Sequence, residues 1–360
     1  MKPLNETLWK RVKIFDDSES FTITTTSSSV DSIRLIDWSS KTIPYVTRTN
    51  NNNGIAQFVS EDNYEYGSDA AGCISVGLDT QTAFYQPHRF ITGQNIHIVK
   101  SNHLNKDFAL FYTTILKKQM EAKFNWGGNG ATLGRMKCIE ALVPINQDGT
   151  QDYEYMTEYS REKQKELLSR YKTYLEQQIT RIDFQSIPIL EKKKWLPFLL
   201  SDIFSTIKRG KRLKKANQIV GQIPYVSSTA SNNGVDNYIV ASSGTRVFNN
   251  CISLANSGSV GVAFYEPFSF VASDHITSLK RENSSKFIYL FLITTIQKQK
   301  RNFNFNREIN DNRIKKMQIM LPVTENEQPD FEYMEQYAKN MMLKKYKQYL
   351  CFLERKEQKQ

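Results

Sequence analysis

Adjacent prolines, paired cysteines and long apolar runs are all missing from this sequence of 360 residues. Each absence excludes a class of function. None of the ten prolines neighbours another, so the Asn/Asp-Pro-Pro-aromatic tetrapeptide that an amino-methyltransferase needs is not present. The only glycine-dense stretch, Gly127-Gly128-Asn129-Gly130, lacks the strand-to-helix setting and the spacing of a nucleotide loop. Four cysteines (Cys73, Cys138, Cys251, Cys351) form no C-x-x-C pair, and Cys73 and Cys251 share a C-I-S phrase. They read as small core residues in a reducing compartment. His88, His97, His103 and His275 have no zinc-ligand spacing. The longest apolar stretch, Phe287–Ile296, contains two threonines and is too short to span a bilayer. The opening MKPLNETLWKRVK holds no apolar signal core. The expectation is a cytoplasmic protein with no membrane partner.

One nuclease-like arrangement, Pro329-Asp330 followed by Glu354-Arg355-Lys356, fails on geometry. Metal-dependent cleavage needs its carboxylates to converge on a cation. Asp330 and Glu354 are twenty-four residues apart in a segment read as helix, a separation of about 36 Å at the helical rise. The alternative of a self-contained DNA-modifying enzyme therefore requires an unrecognised site, and no catalytic or metal-ligating residue is assigned.

What the chain has is charge and repetition. The formal net charge is +11 with 39% hydrophobic and 24% charged residues, a globular composition that favours polyanionic partners, nucleic acid first. IPYVTRTNNNNG (43–54) returns as IPYVSSTASNNG (223–234), 180 residues later. Five further blocks keep the same order: GCISV and NCISL, AFYQPHRF and AFYEPFSF, TTILKK and TTIQKQ, FNWGGNGATLGRMKCIEALVP and FNFNREINDNRIKKMQIMLP, DYEYMTEY and DFEYMEQY. This is a duplicated domain.

Short β-rich runs broken by Gly, Pro and Asn predict a strand-rich core in each copy. Phe108–Gln119 and Phe287–Gln299 read as one buried helix apiece. After the Leu-x-Pro and Met-Leu-Pro stops at Pro144 and Pro322, each copy enters a segment almost free of Gly and Pro. In the first, Leu168, Tyr171, Leu175, Gln178 and Ile182 fall on a 3–4 spacing; in the second, Met342, Tyr346, Tyr349 and Leu353 do. That spacing keeps one seam facing a partner helix, as in a coiled coil. The alternative is that each helix packs on its own domain. The predicted fold is α+β: recognition domain 1–153, helix 154–187, recognition domain 188–331, helix 332–360, with the helices pairing as an antiparallel coiled-coil spacer.

This organisation resembles the specificity subunits of type I restriction-modification systems and the related type IIB systems. The tokens that carry the resemblance are the duplicated I-P-Y-V phrase, Trp195, Phe198 and Asp202–Phe204 opening the second copy, and the closing L-P before each helix. In the first copy Trp9 to Phe15 matches loosely and FTITTTSSSV follows, so sequence leaves the register between Phe15 and Ile43 open. The resemblance implies two target-recognition domains that each read half of a split double-stranded DNA site. It also implies a separate methyltransferase, or fused methyltransferase-nuclease, as partner. No cofactor then belongs to this chain, and S-adenosylmethionine and magnesium belong to the partner.

Candidate DNA contacts follow from what differs inside the shared frame. Basic residues fasten to phosphates, whereas side chains at base edges select sequence. The interior of the repeated phrase is Thr47, Arg48, Thr49 and Asn50, with Asn52 and Asn53 anchoring and Gln57 beyond; in the second copy it is Ser227, Ser228 and Thr229, with Asn232 and Asn233. Arg48 has the geometry for a bidentate contact to guanine, while the asparagines also suit turns. Trp126 and Asn129, against Asn306 and Arg307, form a second differing loop. Arg135 and Arg313 recur at one point of both copies, as groove contacts or structural salt bridges. KRGKRLKK (208–215) supplies Lys208, Arg209, Lys211 and Arg212, dense enough for phosphates; its alternative is a solvated loop, since the first copy lacks it.

Overall fold

In the computed structural model, which describes residues 2–15, 21–124, 129–242, 244–303 and 307–357, both copies fold on one α+β plan. The first copy runs β1 (Trp9–Lys13), β2 (Thr22–Thr25), β3 (Lys41–Val46), β4 (Ile55–Ser60), β5 (Cys73–Gly77), β6 (Thr82–Gln86), β7 (Ile91–Thr92), β8 (Ile96–Lys100), α1 (Lys106–Lys123), α2 (Leu133–Met136), β9 (Glu140–Pro144) and α3 (Tyr153–Thr180). The second runs β10 (Trp195–Leu199), α4 (Leu200–Ile203), β11 (Thr206–Arg209), β12 (Val220–Val226), β13 (Val235–Ile239), β14 (Val247–Phe248), β15 (Cys251–Ala255), β16 (Ala263–Glu266), β17 (Phe270–Ala272), β18 (Ile276–Lys280), α5 (Lys286–Lys298), α6 (Asp311–Lys315), β19 (Gln318–Pro322) and α7 (Phe331–Glu357). By contact density the chain divides at Tyr171/Lys172.

Each copy carries an antiparallel four-stranded sheet, in the orders β2-β8-β5-β6 and β11-β18-β15-β16. A second, more irregular sheet, hereafter the smaller one, contains the repeated phrase: three-stranded β4-β3-β7 in the first copy, and in the second β13-β12-β17-β14, whose fourth strand is only two residues long. Side chains alternate across a strand. One face of the larger sheet therefore presents Ile252, Leu254 and Leu279 to α5, and the other presents Cys251, Ser253 and Ser278 to the smaller sheet. The buried helix packs by the same logic. Phe108, Tyr112, Leu116 and Met120 recur every four residues along α1 and are buried, each contributing about 1.5–3 kcal/mol. Asn105 and Ser285 cap the two helices, accepting from the amides of Phe108 at 2.9 Å and Ile288 at 3.4 Å.

The register that sequence left open between Phe15 and Ile43 is fixed by the larger sheet. There β2 pairs β8 with Thr22 opposite Lys100, as β11 pairs β18 with Thr206 opposite Lys280. The two-stranded sheets fix the looser match before it. β1 pairs β9 with Trp9 opposite Pro144, and β10 pairs β19 with Trp195 opposite Pro322. Both indole N–H groups donate back along the chain, Trp9 to the Leu4 carbonyl at 3.0 Å and Trp195 to that of Leu190 at 3.1 Å. Trp9 is therefore the counterpart of Trp195, and the loose match hides a shared arrangement.

The closing helices start as expected and the first stops early. Asp152 and Asp330 accept from the amides of Tyr155 at 2.9 Å and Tyr333 at 3.0 Å, capping each helix. The expected helix over 154–187 ends at Thr180, so Ile182 is not a helical seam residue. The last amides, of Arg181 and Ile182, turn to carbonyls three residues back. The carbonyls of Asp183 and Gln185 are taken instead by the side chains of Gln336 at 2.9 Å and Asn340 at 2.7 Å, which holds the segment off the helical path. Ile182 is buried all the same, as are Leu175 and Leu353. Met342 and Tyr346 are half-buried, and Leu343 is the buried residue of that turn. Leu168, Tyr171 and Tyr349 are more exposed, at 39%, 44% and 36%.

Candidate nucleic-acid interface

β3 and β12 deliver the differing loop in each copy, and one pair of bonds closes it. The amide of Thr47 donates to the Gly54 carbonyl at 2.8 Å, and that of Ser227 to Gly234 at 2.9 Å. Within this frame Asn52, Asn53, Asn232 and Asn233 all have left-handed backbone, with φ between 48° and 58°, a region asparagine tolerates. Gly54 and Gly234 follow at φ +79° and +77°; a Cβ on Gly54 would lie 3.2 Å from the Phe84 ring. These asparagines therefore form the turn itself. The Asn53 side-chain amide is also committed, donating to the Tyr85 carbonyl at 2.8 Å. Asn52, Asn232 and Asn233 present exposed side chains beside Thr49 and Thr229, whose hydroxyls accept from the Asn51 and Ser231 amides. Asn50 and Gln57 are exposed.

Arg48 is anchored rather than free. One guanidinium nitrogen ion-pairs with Asp79, which also accepts from Asn95 at 3.2 Å, and the Thr80 hydroxyl donates to the Arg48 carbonyl at 2.7 Å. The side chain remains 43% exposed, and a guanidinium has further N–H donors to present. The hairpin between β5 and β6 thus aims Arg48. In the second copy the matching hairpin meets Ser228, whose carbonyl accepts from the Ser259 amide at 3.1 Å.

The second differing loop docks on the same hairpins. The Ala131 amide donates to the Leu78 carbonyl at 3.2 Å, and the Ile309 amide to Asn256 at 2.9 Å. Both loops of a copy therefore converge on one hairpin tip. Trp126 and Asn306 lie outside the described residues. Asn129 is exposed and donates to the Lys123 carbonyl at 2.9 Å, and Arg307 is exposed. Arg135 and Arg313 repeat each other in detail: each guanidinium donates to a carbonyl five residues earlier, Gly130 at 3.0 Å and Glu308 at 2.6 Å. Both are exposed, and each clamps its own loop.

The basic run begins in a strand and leaves it after two residues. Lys208 and Arg209 belong to β11, and only from Gly210 does the chain leave the sheet; Lys211 and Arg212 are exposed there. Arg209 is fastened at both ends, its Nε donating to the Asp274 carbonyl at 2.5 Å and its own carbonyl accepting from Arg246 at 2.8 Å. Lys208, Arg246 and Lys280 together rim a recess of about 210 Å³ floored by Cys251 and Ser278. Sequence reasoning missed Arg246 and Lys280. Lys280 ends an alternating strand and pairs opposite Thr206, a relation visible only once β11 and β18 are known to be neighbours. In the first copy Lys100 stands in register with Lys280, while Thr24 and Thr25 stand where the second copy has Lys208 and Arg209. Thr26 and Ser27 donate to the Asp69 carboxylate at 2.5 and 3.1 Å.

A groove of about 970 Å³ runs beside the second loop, lined by Pro224, Asn232, Asn233, Asn237, Tyr238 and Phe268. The thiols of Cys73 and Cys251 are pushed up to about 12 and about 11, chiefly by burial, which leaves them unreactive. Asp330 caps α7 and pairs with Lys193 at 2.7 Å, a structural use of the carboxylate. Among the described residues no group of three His, Cys, Asp or Glu side chains is placed to hold a metal. No described helix is long and apolar enough to cross a membrane.

Two copies of one frame, each with two unlike loops on a hairpin tip, define a tandem recognition protein. The chain belongs to the type I restriction-modification DNA specificity family: residues 9–171 and 192–349 each match the model of the Type I restriction modification DNA specificity domain. It is 30% identical over 303 residues to the Type II restriction enzyme BgcI specificity subunit S.BcgI of Heyndrickxia coagulans, covering 83% of this chain and 85% of that protein. Among solved structures it is similar to the S subunit of a type I restriction-modification system from M. genitalium, at 13% identity and a TM-score of 0.43 over 98% of this chain and 95% of that one. It is also similar to the HsdS subunit from Thermoanaerobacter tengcongensis, at 11% identity and a TM-score of 0.34 over 96% of this chain and 91% of that one. The chain is a DNA-specificity subunit of a restriction-modification system, the recognising component and not the catalytic one.

Proposed function

We propose that each domain reads one short block of a split, asymmetric site in duplex DNA, through the loop that follows its I-P-Y-V strand and the loop docked beside it. The observation that carries this reading is the convergence of both differing loops on one hairpin tip in each copy, within a frame that is otherwise repeated. Unlike side chains on like frames imply unlike half-sites: Arg48 over Asp79 in the first, Ser228 and Thr229 in the second. Arg135, Arg307 and Arg313, with Lys208, Lys211, Arg212, Arg246 and Lys280, supply phosphate contacts, which position the chain without selecting sequence.

The helices α3 and α7 act as an antiparallel spacer between the two readers. The 3–4 spacing of Leu168, Tyr171 and Leu175 in one helix, and of Met342, Tyr346, Tyr349 and Leu353 in the other, supports it. The partner is a methyltransferase, or a methyltransferase fused to a nuclease, and S-adenosylmethionine and magnesium act there, in the cytoplasm. Methylome sequencing of a host carrying the full system tests the reading: modification should fall at two short, unlike blocks with an unread gap. A single uninterrupted or palindromic site would overturn it, as would methyl transfer by the purified chain alone.

A further inference from the structure

Glu266 stands in the second copy where Gln86 stands in the first. β16 places Glu266 opposite Cys251, and β6 places Gln86 opposite Cys73, in the same register. Both side chains are buried, at 0% and 2% exposure. Each meets the matching serine: Gln86 Nε2 donates to Ser75 Oγ at 2.9 Å, and Ser253 Oγ donates to Glu266 Oε1 at 2.8 Å. Gln86 Nε2 makes a second bond, to the Asn53 carbonyl at 3.0 Å, and so ties down the left-handed turn of the first reading loop. The turn of the second copy has the same backbone, with Asn233 in the place of Asn53. Yet Glu266 Oε2 is buried without a hydrogen-bond partner.

A carboxylate has no proton to give to a carbonyl, whereas a neutral carboxyl has one O–H donor. An ionised group in this place would be a buried charge beside a carbonyl oxygen, which costs far more than a neutral acid. Among the described residues no cation pairs with it. β15 presents Cys251, whose thiol is itself neutral, and the turn Asn232–Gly234 carries no ionisable group. Tyr265, Tyr289 and the lysines of α5 belong to the opposite face of the sheet. Lys280 and Lys208 rim the recess beyond Cys251, and the Lys280 amine donates to Asn249 at 3.2 Å. Burial accordingly pushes the Glu266 carboxyl up to about 7, against the Ser253 bond that lowers it.

We propose that Glu266 is a positioning residue of the second reading loop: as the neutral acid it donates to the Asn233 carbonyl and locks the Asn232–Gly234 turn, and on losing its proton it releases that turn. The consequence for DNA rests on the reading of this loop as a base-contacting element. The two half-sites then differ in pH response, the first held by an amide that does not titrate and the second by an acid that does.

The test uses the full chain as wild type, E266Q and Q86E, with two readouts between about pH 6 and about pH 8, a range that brackets the shifted carboxyl. Amide exchange, corrected for its intrinsic pH dependence, reports on Ser227 and Gly234, whose N–H groups close the second turn. Binding to duplexes altered in one block at a time reports on recognition. In the wild type, protection of these amides should fall about tenfold from the lower to the higher pH, following the ionised fraction. E266Q should keep protection at both, and Q86E should move the pH dependence to the first turn. Protection that is flat with pH in the wild type, or lower in E266Q than in wild type at the acid end, overturns the proposal. If protection falls as expected while discrimination at the second block stays constant, Glu266 positions the turn as stated and the base-reading role of that turn fails instead.

Discussion

Arg48 carries the sharpest chemistry of any single residue in the reading loops, because Asp79 fixes one edge of its guanidinium and leaves the rest facing outward. An arginine held in this way is pre-organised for a planar, two-bond contact. Arg48→Ala should relax selection at one position of the first block, at a cost of about 1–3 kcal/mol. Competition binding across single-base variants of the site checks it; a loss equal for every sequence would make Arg48 a phosphate anchor. At this scale the sequence identified residue types well and commitments poorly. It separated Arg48 from the asparagines beside it, but not that Asn53 is spent on the Tyr85 carbonyl or that Arg135 and Arg313 clamp their own loops. Those bonds join residues through the folded backbone, and a side chain's remaining donors are known only when its partners are.

Among the elements, β11 differs most from its counterpart. β2 carries Thr24 and Thr25 and continues into Thr26 and Ser27 around Asp69. β11 has Lys208 and Arg209 in register and continues into lysine and arginine, with Arg246 alongside, while Lys280 itself is matched by Lys100. The second domain should therefore supply more of the salt-dependent affinity. Replacing Lys208, Arg246 and Lys280 by alanine should flatten the slope of log K against log salt by about 0.9 for each phosphate no longer neutralised, with block preference unchanged. An unaltered slope in a titration from low to high salt would leave the recess without a role in DNA binding.

The strands also give the domains opposite pH dependence. His97 on β8 is buried, and burial holds its imidazole below the ordinary value, with the Ala131 backbone opposing. A neutral buried histidine stabilises above the ordinary imidazole pKa of about 6.5 and loses that stability as pH falls. Glu266 on β16 works the other way. With its carboxyl near 7 in the fold against 4.5 when free, the folded state holds the proton more tightly. Its domain is then most stable below the free value and loses about 3 kcal/mol as pH rises through 7. Calorimetric unfolding should show the first domain weakening as pH falls below about 6.5 and the second weakening as pH rises from 4.5 to about 7, and E266Q should abolish the second loss.

For the molecule as a whole, spacing is the testable quantity. α3 and α7 contain 28 and 27 residues, or about 40 Å each at the helical rise, close to the separation of successive turns on one face of DNA. The two blocks should lie with roughly 5–8 unread base pairs between them, as read from the methylome. A chain cut at residue 187 keeps one reader and one seam. Expressed with the partner enzyme, it should pair with a second copy and direct methylation to an inverted repeat of the first block; an unchanged asymmetric site would disprove the spacer. Duplication, fold class and the long closing helices were determined by the sequence alone, because periodicity and repeated phrases are local patterns that survive without coordinates. Tertiary structure decided the rest: that Trp9 matches Trp195, that the helix stops at Thr180, that two loops far apart in sequence share one hairpin tip, and that a glutamate fills a glutamine's place beneath a turn. Each of these depends on which strands become neighbours, and pairing between distant segments is set by the packing of the whole domain, not by any stretch within it.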